Sequence, residues 1–402
     1  MAAALAEEFR SLLAEVFAFE ADGVRVDATK QSLVHEHLGG FWMTDALLNC
    51  LRVLVAEERS EARVGVEHLH EQVNVLLNTG HYSEVEDRHR LLYAVVCLEA
   101  LRVCDKGLLL GLDVEGDVLA CGADLLCAAL GPEEPIEFHD PPLQREPTAL
   151  PNSVRIPVVH LPSLESFYRQ FFEPQRPVII RGLVDQWPAF GNFPHLYARC
   201  SRRTVPIELG GSYVDAEFHQ QLMTFGEYLR EFIAPAQARP LASFSILSPE
   251  QSAYLAQHRL LDQIPSLRQE ILVPDYCALA SGEEGAEGKA ELINCFIGPA
   301  TTVSPLHSDP RHNFFCQVEG RKFVRLIDPK FSDRIYLHDD FLRANSSRVD
   351  VERPDWAEFP LFREVVCEDF EMEAGDCLFI PRRYLHYVRA LRPSISISIW
   401  FG

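Results

Sequence analysis

The 402-residue chain is short of positive charge: 37 Lys and Arg stand against 59 Asp and Glu, a formal charge of −22. A surface so acidic repels phosphates, which excludes broad, sequence-independent nucleic-acid binding and favours basic polypeptide ligands. No apolar run approaches the roughly 20 residues that span a bilayer, so no membrane partner is expected. The opening MAAALAEEFR has no basic stretch before its short apolar run and carries acids directly after it, so it does not read as a secretory signal. Any CxxC pair is also missing. The 11 cysteines are spread singly from Cys50 to Cys377, the pattern of thiols in a reducing compartment and not of a disulfide framework. No internal repeat, long low-complexity tract or zinc-finger signature occurs, and no Lys/Arg-rich import signal is evident.

What is present is ordinary globular material, 47% hydrophobic and 24% charged. The length suggests two or three domains at roughly 150 residues each. Residues 1–130 read as an all-α domain. Leu5, Phe9, Leu12, Leu13 and Val16 form a helical stripe, and apolar residues keep helical spacing over 41–55 and 88–103. HRLLYAVVCLEALRV is apolar nearly all round, as a buried central helix would be. The pairs His35/His37 and His68/His70 look like metal ligands, but positions i and i+2 diverge on a helix, so the domain reads as a stabilising or interaction module. Residues 131–157 hold seven prolines and read as an extended linker.

From 158 to 402 short β-rich runs take over. They are Pro177–Arg181, Thr204–Leu209, Ala242–Leu247, Leu292–Ile297, Asn313–Val318, Lys322–Ile327, Cys377–Ile380, His386–Ala390 and Ser394–Trp400. Glu319-Gly320-Arg321 marks a tight hairpin, and SISISIWF alternates as a half-buried strand would. So many short strands point to a barrel or jelly roll, making the whole chain α+β.

The informative segment is TTVSPLHSDPRHNFFCQVEGRKFVRLIDP, residues 301–329. On extended backbone, His307 and Asp309 leave on one face. His386, 77 positions beyond Asp309, opens a later strand and is placed to complete a set of two histidines and one carboxylate. Such a facial set leaves open coordination positions and is associated with non-haem Fe(II) oxygenases, although zinc also accepts these ligands. Lys322 is an odd cation at the start of an apolar strand, and a buried lysine needs an anion. If iron carries 2-oxoglutarate, the cosubstrate's far carboxylate is a suitable one. Asn313 follows where a hairpin would line the same cavity. Glu208, in TVPIELGGSY, is an inward acid if its strand lines the pocket, and a carboxylate can take a guanidinium bidentately.

SPLHSDPRHNFFCQVEGRKFVRLIDP, YLAQHRLLDQIPSL, LFIPRRYLHYVRAL and the terminal SISISIWFG together resemble the Jumonji-C family of Fe(II)- and 2-oxoglutarate-dependent oxygenases over roughly 154–402. The resemblance implies a C-terminal double-stranded β-helix of jelly-roll or cupin type. It implies Fe(II) held by His307, Asp309 and His386, with 2-oxoglutarate and O2 as co-reactants. Lys322 and Tyr254 would hold the far carboxylate, Ser304 and Asn313 would add polar contacts, and Gln257 and Trp400 would line that pocket. Glu208, Tyr213 and Phe218 would form a narrow arginine pocket. Phe218 and Phe296 stand where Trp is expected, which removes an indole donor from the substrate side. The implied activity is arginine hydroxylation in a basic protein such as a histone tail or another nuclear or ribosomal protein. N-methyl-lysine demethylation, arginine-directed peptide cleavage and a noncatalytic scaffold are the alternatives. The resemblance also implies a nuclear location, with the cytoplasm left open.

Overall fold

The computed structural model describes residues 17–20, 23–26, 101–102, 104–106, 108–109, 118–131, 133–138, 143–144, 150, 152–210, 219–234, 253–282, 291–300, 302–340 and 343–402. They fall into two compact units, Met1–Pro132 and Glu133–Gly402. In the first, helix Val118–Leu130 packs Ala123 and Leu126 with Leu101 and Cys104. Phe17–Glu20 and Gly23–Val26 form an antiparallel pair, where an all-helical unit was expected. The local apolar period there is two (Phe17, Phe19; Val24, Val26), which suits strands. The stripe at 5–16, the helix at 41–55, both histidine pairs and most of 88–103 lie outside the described residues.

In the second unit, described residues of the proline-rich segment make specific contacts with the rest of the unit. Phe138 stacks on Phe193 with ring centroids 5.7 Å apart. Tyr197 donates to Glu133 at 3.1 Å, and the Gln144 amide donates to the Leu391 carbonyl at 2.9 Å. Ser153–Val154 then joins a sheet as a short strand.

The strands that follow are β1 (Ser153–Val154), β2 (Val158–His160), β3 (Val178–Arg181), β4 (Thr204–Leu209), β5 (His219–Thr224), β6 (Ala253–His258) and β7 (Leu292–Gly298). After them come β8 (Val303–Ser308), β9 (His312–Glu319), β10 (Arg321–Ile327), β11 (Cys367–Glu373), β12 (Asp376–Ile380), β13 (Leu385–Ala390) and β14 (Ser394–Phe401). Among the described residues they form two sheets, one in the order β8-β13-β10-β11-β1 and one in the order β2-β3-β12-β9-β14-β7-β6-β4-β5. Phe315, Leu378 and Ile380 of the larger sheet pack with Val324, Leu326, Met372 and Val388 of the smaller, so the sheets face each other. The result is the double-stranded β-helix. The expected strand at 242–247 lies outside the described residues.

β14 shows how the two faces of the larger sheet differ. Ile395, Ile397 and Ile399 point outward into the core beneath the flanking helices, with Phe314, Cys316 and Phe401. Ser394, Ser396 and Ser398 occupy the opposite face and are also buried, so the strand is covered on both faces, not one. Ser398 donates to Asn313 Oδ1 at 2.6 Å and Ser396 to Gln317 Oε1 at 2.7 Å. Small hydroxylated side chains therefore face the second sheet where bulky ones would fill the interior.

The β9–β10 hairpin turns on Gly320, whose φ is +79°. A Cβ there would sit 2.0 Å from the Pro393 carbonyl oxygen. Gly320→Ala is expected to cost roughly 2–4 kcal/mol, from strain and backbone clash together. Chemical denaturation measures this; a change below about 0.5 kcal/mol would contradict the packing.

Candidate metal and cosubstrate site

β8 and β13 are neighbours, and their register sets His307 opposite His386 with ring centroids 4.2 Å apart. The ladder shifts register between Ser304 and His307, and Asp309 follows directly after the strand. Its backbone carbonyl accepts the Arg383 amide at 2.6 Å, and Arg383 adopts a left-handed φ of +62° to deliver it. The Asp309 carboxylate lies 4.0 Å from His307 Nε2 and 3.6 Å from His386 Nε2. One ligand atom from each of the three residues lies within 4.8 Å of the others.

The backbone fixes both imidazole tautomers. Pro305 O stands 2.7 Å from His307 Nδ1, and Tyr384 O stands 3.0 Å from His386 Nδ1. A carbonyl only accepts, so each Nδ1 carries hydrogen and each Nε2 keeps a lone pair. Burial, and then His307, push the His386 pKa down to about 4 against the opposing pull of Asp309. The ring is therefore a neutral donor at physiological pH. Two imidazole nitrogens and one carboxylate converging in this way suit a divalent transition metal.

The second half of the site lies further along β10. Leu326 pairs with His386, and Lys322 lies four residues back, about 13 Å along the strand. Lys322 is 1% exposed. Its Nζ donates to the Tyr254 hydroxyl at 3.2 Å and stands 5.2, 5.6 and 6.0 Å from the ring centroids of Phe315, Tyr254 and Phe296. Among the described residues no carboxylate pairs with it, and desolvation pushes its pKa down to about 7. Burial raises the Tyr254 phenol, as does the charge of Glu208, while Ser304 opposes them by hydrogen bonding. The Trp400 indole N–H, on the strand position facing Asn313, is a buried donor without a partner among the described residues. A buried ammonium and a buried indole donor, each lacking an acceptor of matching charge or kind, call for an anion with several oxygens.

The residue types expected for iron and 2-oxoglutarate thus fit the site. His307, Asp309 and His386 converge, and so do Tyr254, Ser304 and Lys322, with Asn313 and Trp400 paired on the facing sheet. Phe296, expected on the substrate side, also stands in the aromatic cage around Lys322, where its strand register brings its ring 6.2 Å from Tyr254 and 6.1 Å from Phe315. Gln257 is exposed at the bulge in β6, with φ +49°, and no described contact joins it to the cage. Tyr213 and Phe218 lie outside the described residues.

Glu208 sits opposite Tyr254 in the β4–β6 ladder and opposite Gln220 in the β4–β5 ladder. It is half-buried, and desolvation lifts its pKa to about 7 against a hydrogen bond from Gln220. Among the described residues it has no cationic partner. Two participants were missed from the sequence. Phe315, at i+2 from Asn313, could have been found from strand alternation. Arg383 carries no local signal for its left-handed backbone.

A family model described as a cupin-like domain matches residues 164–402. "Lysine-specific demethylase 8" of Danio rerio is 35% identical over 395 residues, covering 89% of this chain and 93% of its own length. "Jumonji C domain-containing protein 5" of Drosophila melanogaster is 33% identical over 344 residues, covering 81% and 83%. A more distant human relative, "Bifunctional peptidase and (3S)-lysyl hydroxylase JMJD7", is 24% identical over 265 residues, covering 58% of this chain and 80% of its own.

Proposed function

From the premise that this chain belongs to the cupin-like JmjC family of 2-oxoglutarate oxygenases, which use Fe(II), 2-oxoglutarate and O2, we propose that it hydroxylates an arginine side chain in a basic protein. The observation that carries the reading is Glu208, a half-buried carboxylate on the strand that flanks Tyr254, with no cationic partner among the described residues. A guanidinium offers such a carboxylate two parallel N–H donors, whereas a fully methylated ammonium offers none. The overall charge of −22 adds steering toward basic partners.

When bound, the iron with its cosubstrate and O2 supplies an oxidant able to place one oxygen atom in an unactivated C–H bond, with release of succinate and CO2. The chain's residues do the positioning. His307, His386 and Asp309 would hold the metal, the histidines presenting Nε2 because Pro305 and Tyr384 engage Nδ1. Lys322 and Tyr254 would hold the far carboxylate of 2-oxoglutarate, with Ser304, Asn313 and Trp400 as further polar contacts. Glu208 would draw the guanidinium into line, and the apolar packing between the sheets would exclude water. Histone tails and other arginine-bearing nuclear or ribosomal proteins fit this chemistry, and a nuclear location, with the cytoplasm also open, would accord with such substrates.

Glu208→Ala is expected to lower oxidation of arginine peptides by at least about a hundredfold, the scale of a lost buried charged contact. Substrate-independent consumption of 2-oxoglutarate should be spared. Peptide mass spectrometry reading a one-oxygen gain, run beside a succinate assay, tests both, and equal loss of the two would count against the assignment. Demethylation of N-methyl-lysine is the second reading, favoured by the name of the Danio rerio relative. It releases formaldehyde and leaves no oxygen on the peptide. Peptide cleavage, which the human relative's name includes, would proceed without succinate.

A further inference from the structure

We propose that Glu208 and Lys322 are electrostatically coupled through Tyr254, so that the acid that receives the substrate cation also sets the affinity for the cosubstrate's far carboxylate. The proposal rests on the reading of Glu208 and Lys322 given above.

The arrangement is one continuous row. Glu208 and Tyr254 are directly opposed residues of antiparallel strands, so their side chains leave on the same face within contact range. The phenol oxygen of Tyr254 in turn accepts from Lys322 Nζ at 3.2 Å. A carboxylate, a phenol and an ammonium therefore stand in series across the two sheets. The charged groups at its ends have no other described ion partner. Among the described residues, Gln220 also hydrogen-bonds to Glu208, and it carries no charge.

Without ligands, the Tyr254 phenol separates the two charged groups and no described ion pair joins them. Once a carboxylate lies against Lys322, the row holds an anion at each side of Tyr254. Low-dielectric surroundings carry that repulsion over distances that water would screen. A guanidinium seated on Glu208 removes it. The two ligands thus bind with positive cooperativity, and by thermodynamic reciprocity each strengthens the other by the same factor. An enzyme built this way holds 2-oxoglutarate loosely until the correct cation arrives, which limits turnover without substrate.

The test is calorimetric titration of 2-oxoglutarate into the full chain with Mn(II) in place of iron, at pH 8. Glu208→Gln keeps shape and removes charge, and it should tighten 2-oxoglutarate by about three- to tenfold. Its affinity for 2-oxobutyrate, which lacks the far carboxylate, should not change. Unchanged or weakened binding of 2-oxoglutarate overturns the coupling, as does equal tightening of both keto acids. A second measurement needs no variant: N-acetyl-arginine amide should tighten 2-oxoglutarate on the unmodified protein, and N-acetyl-norleucine amide should not. If the variant tightens 2-oxoglutarate but arginine amide has no effect, the coupling stands and the arginine reading fails. If Glu208→Gln abolishes arginine oxidation and leaves keto-acid affinity untouched, the arginine reading stands and the coupling fails.

Discussion

Asp309→Ala should abolish turnover, with a loss on the order of a thousandfold or more, while the protein stays folded. The carboxylate is the one anionic donor among the three converging groups, and it stands within 4.0 Å of both imidazole Nε2 atoms. Without it, two neutral nitrogens remain, a set too weak in charge to keep a divalent cation. The fold should survive because the Asp309 backbone carbonyl, not its side chain, receives the Arg383 amide. His307→Ala should give the same loss, since His307 shares a ladder position with His386 but contributes no core packing of its own. Metal content after dialysis, with circular dichroism as the fold control, separates loss of a ligand from loss of structure. Near-normal activity with bound metal in either variant would break the ligand assignment.

Legibility in the sequence followed the range of the interaction. The His307-x-Asp309 spacing was readable because two residues on extended backbone share a face, and Gly320 was readable because a tight hairpin needs a positive φ. Lys322 stood out as a charge inside an apolar strand, and its burial matches that oddity. Alternation in SISISIWF was equally visible, but not which way it pointed. The serines looked like a solvated face, whereas a second sheet covers them. Period two reports two faces and does not say what covers each. The contact of Phe296 with Lys322 was hidden for a related reason. Its partner across the ladder is Ser396, a hundred positions on, and only that register brings its ring against Lys322. The Glu208–Tyr254 pairing is likewise a long-range register, across a stretch of sequence that carries no local mark of it. The bulge that leaves Gln257 exposed is a backbone event at a non-glycine residue, which sequence pattern does not announce.

Lys322→Met should weaken 2-oxoglutarate binding by about a hundredfold or more, yet make the ligand-free protein more stable. Both effects have one cause. Lys322 is buried, its hydrogen-bonding partner among the described residues is the Tyr254 hydroxyl, and desolvation holds its pKa at about 7 against an ordinary 10.5. Between those two values the unfolded chain binds a proton that the folded chain does not, so stability rises with pH across that window. Below about pH 7 both states are protonated and the full cost of the buried charge is felt. Methionine has similar volume and no charge, so at pH 6.5 it should stabilise the fold by about 1–3 kcal/mol. That advantage should shrink steadily toward pH 10, as the wild-type lysine is relieved of its proton in the folded state alone. Thermal or urea unfolding across that range, beside keto-acid titration, reads both consequences. A variant that is less stable at pH 6.5, or that binds 2-oxoglutarate as tightly as the unmodified protein, would mean that the ammonium already has a counter-charge and does not await one. The cation is thus held at a cost to the ligand-free fold, and a dicarboxylate of the right length offsets it on binding.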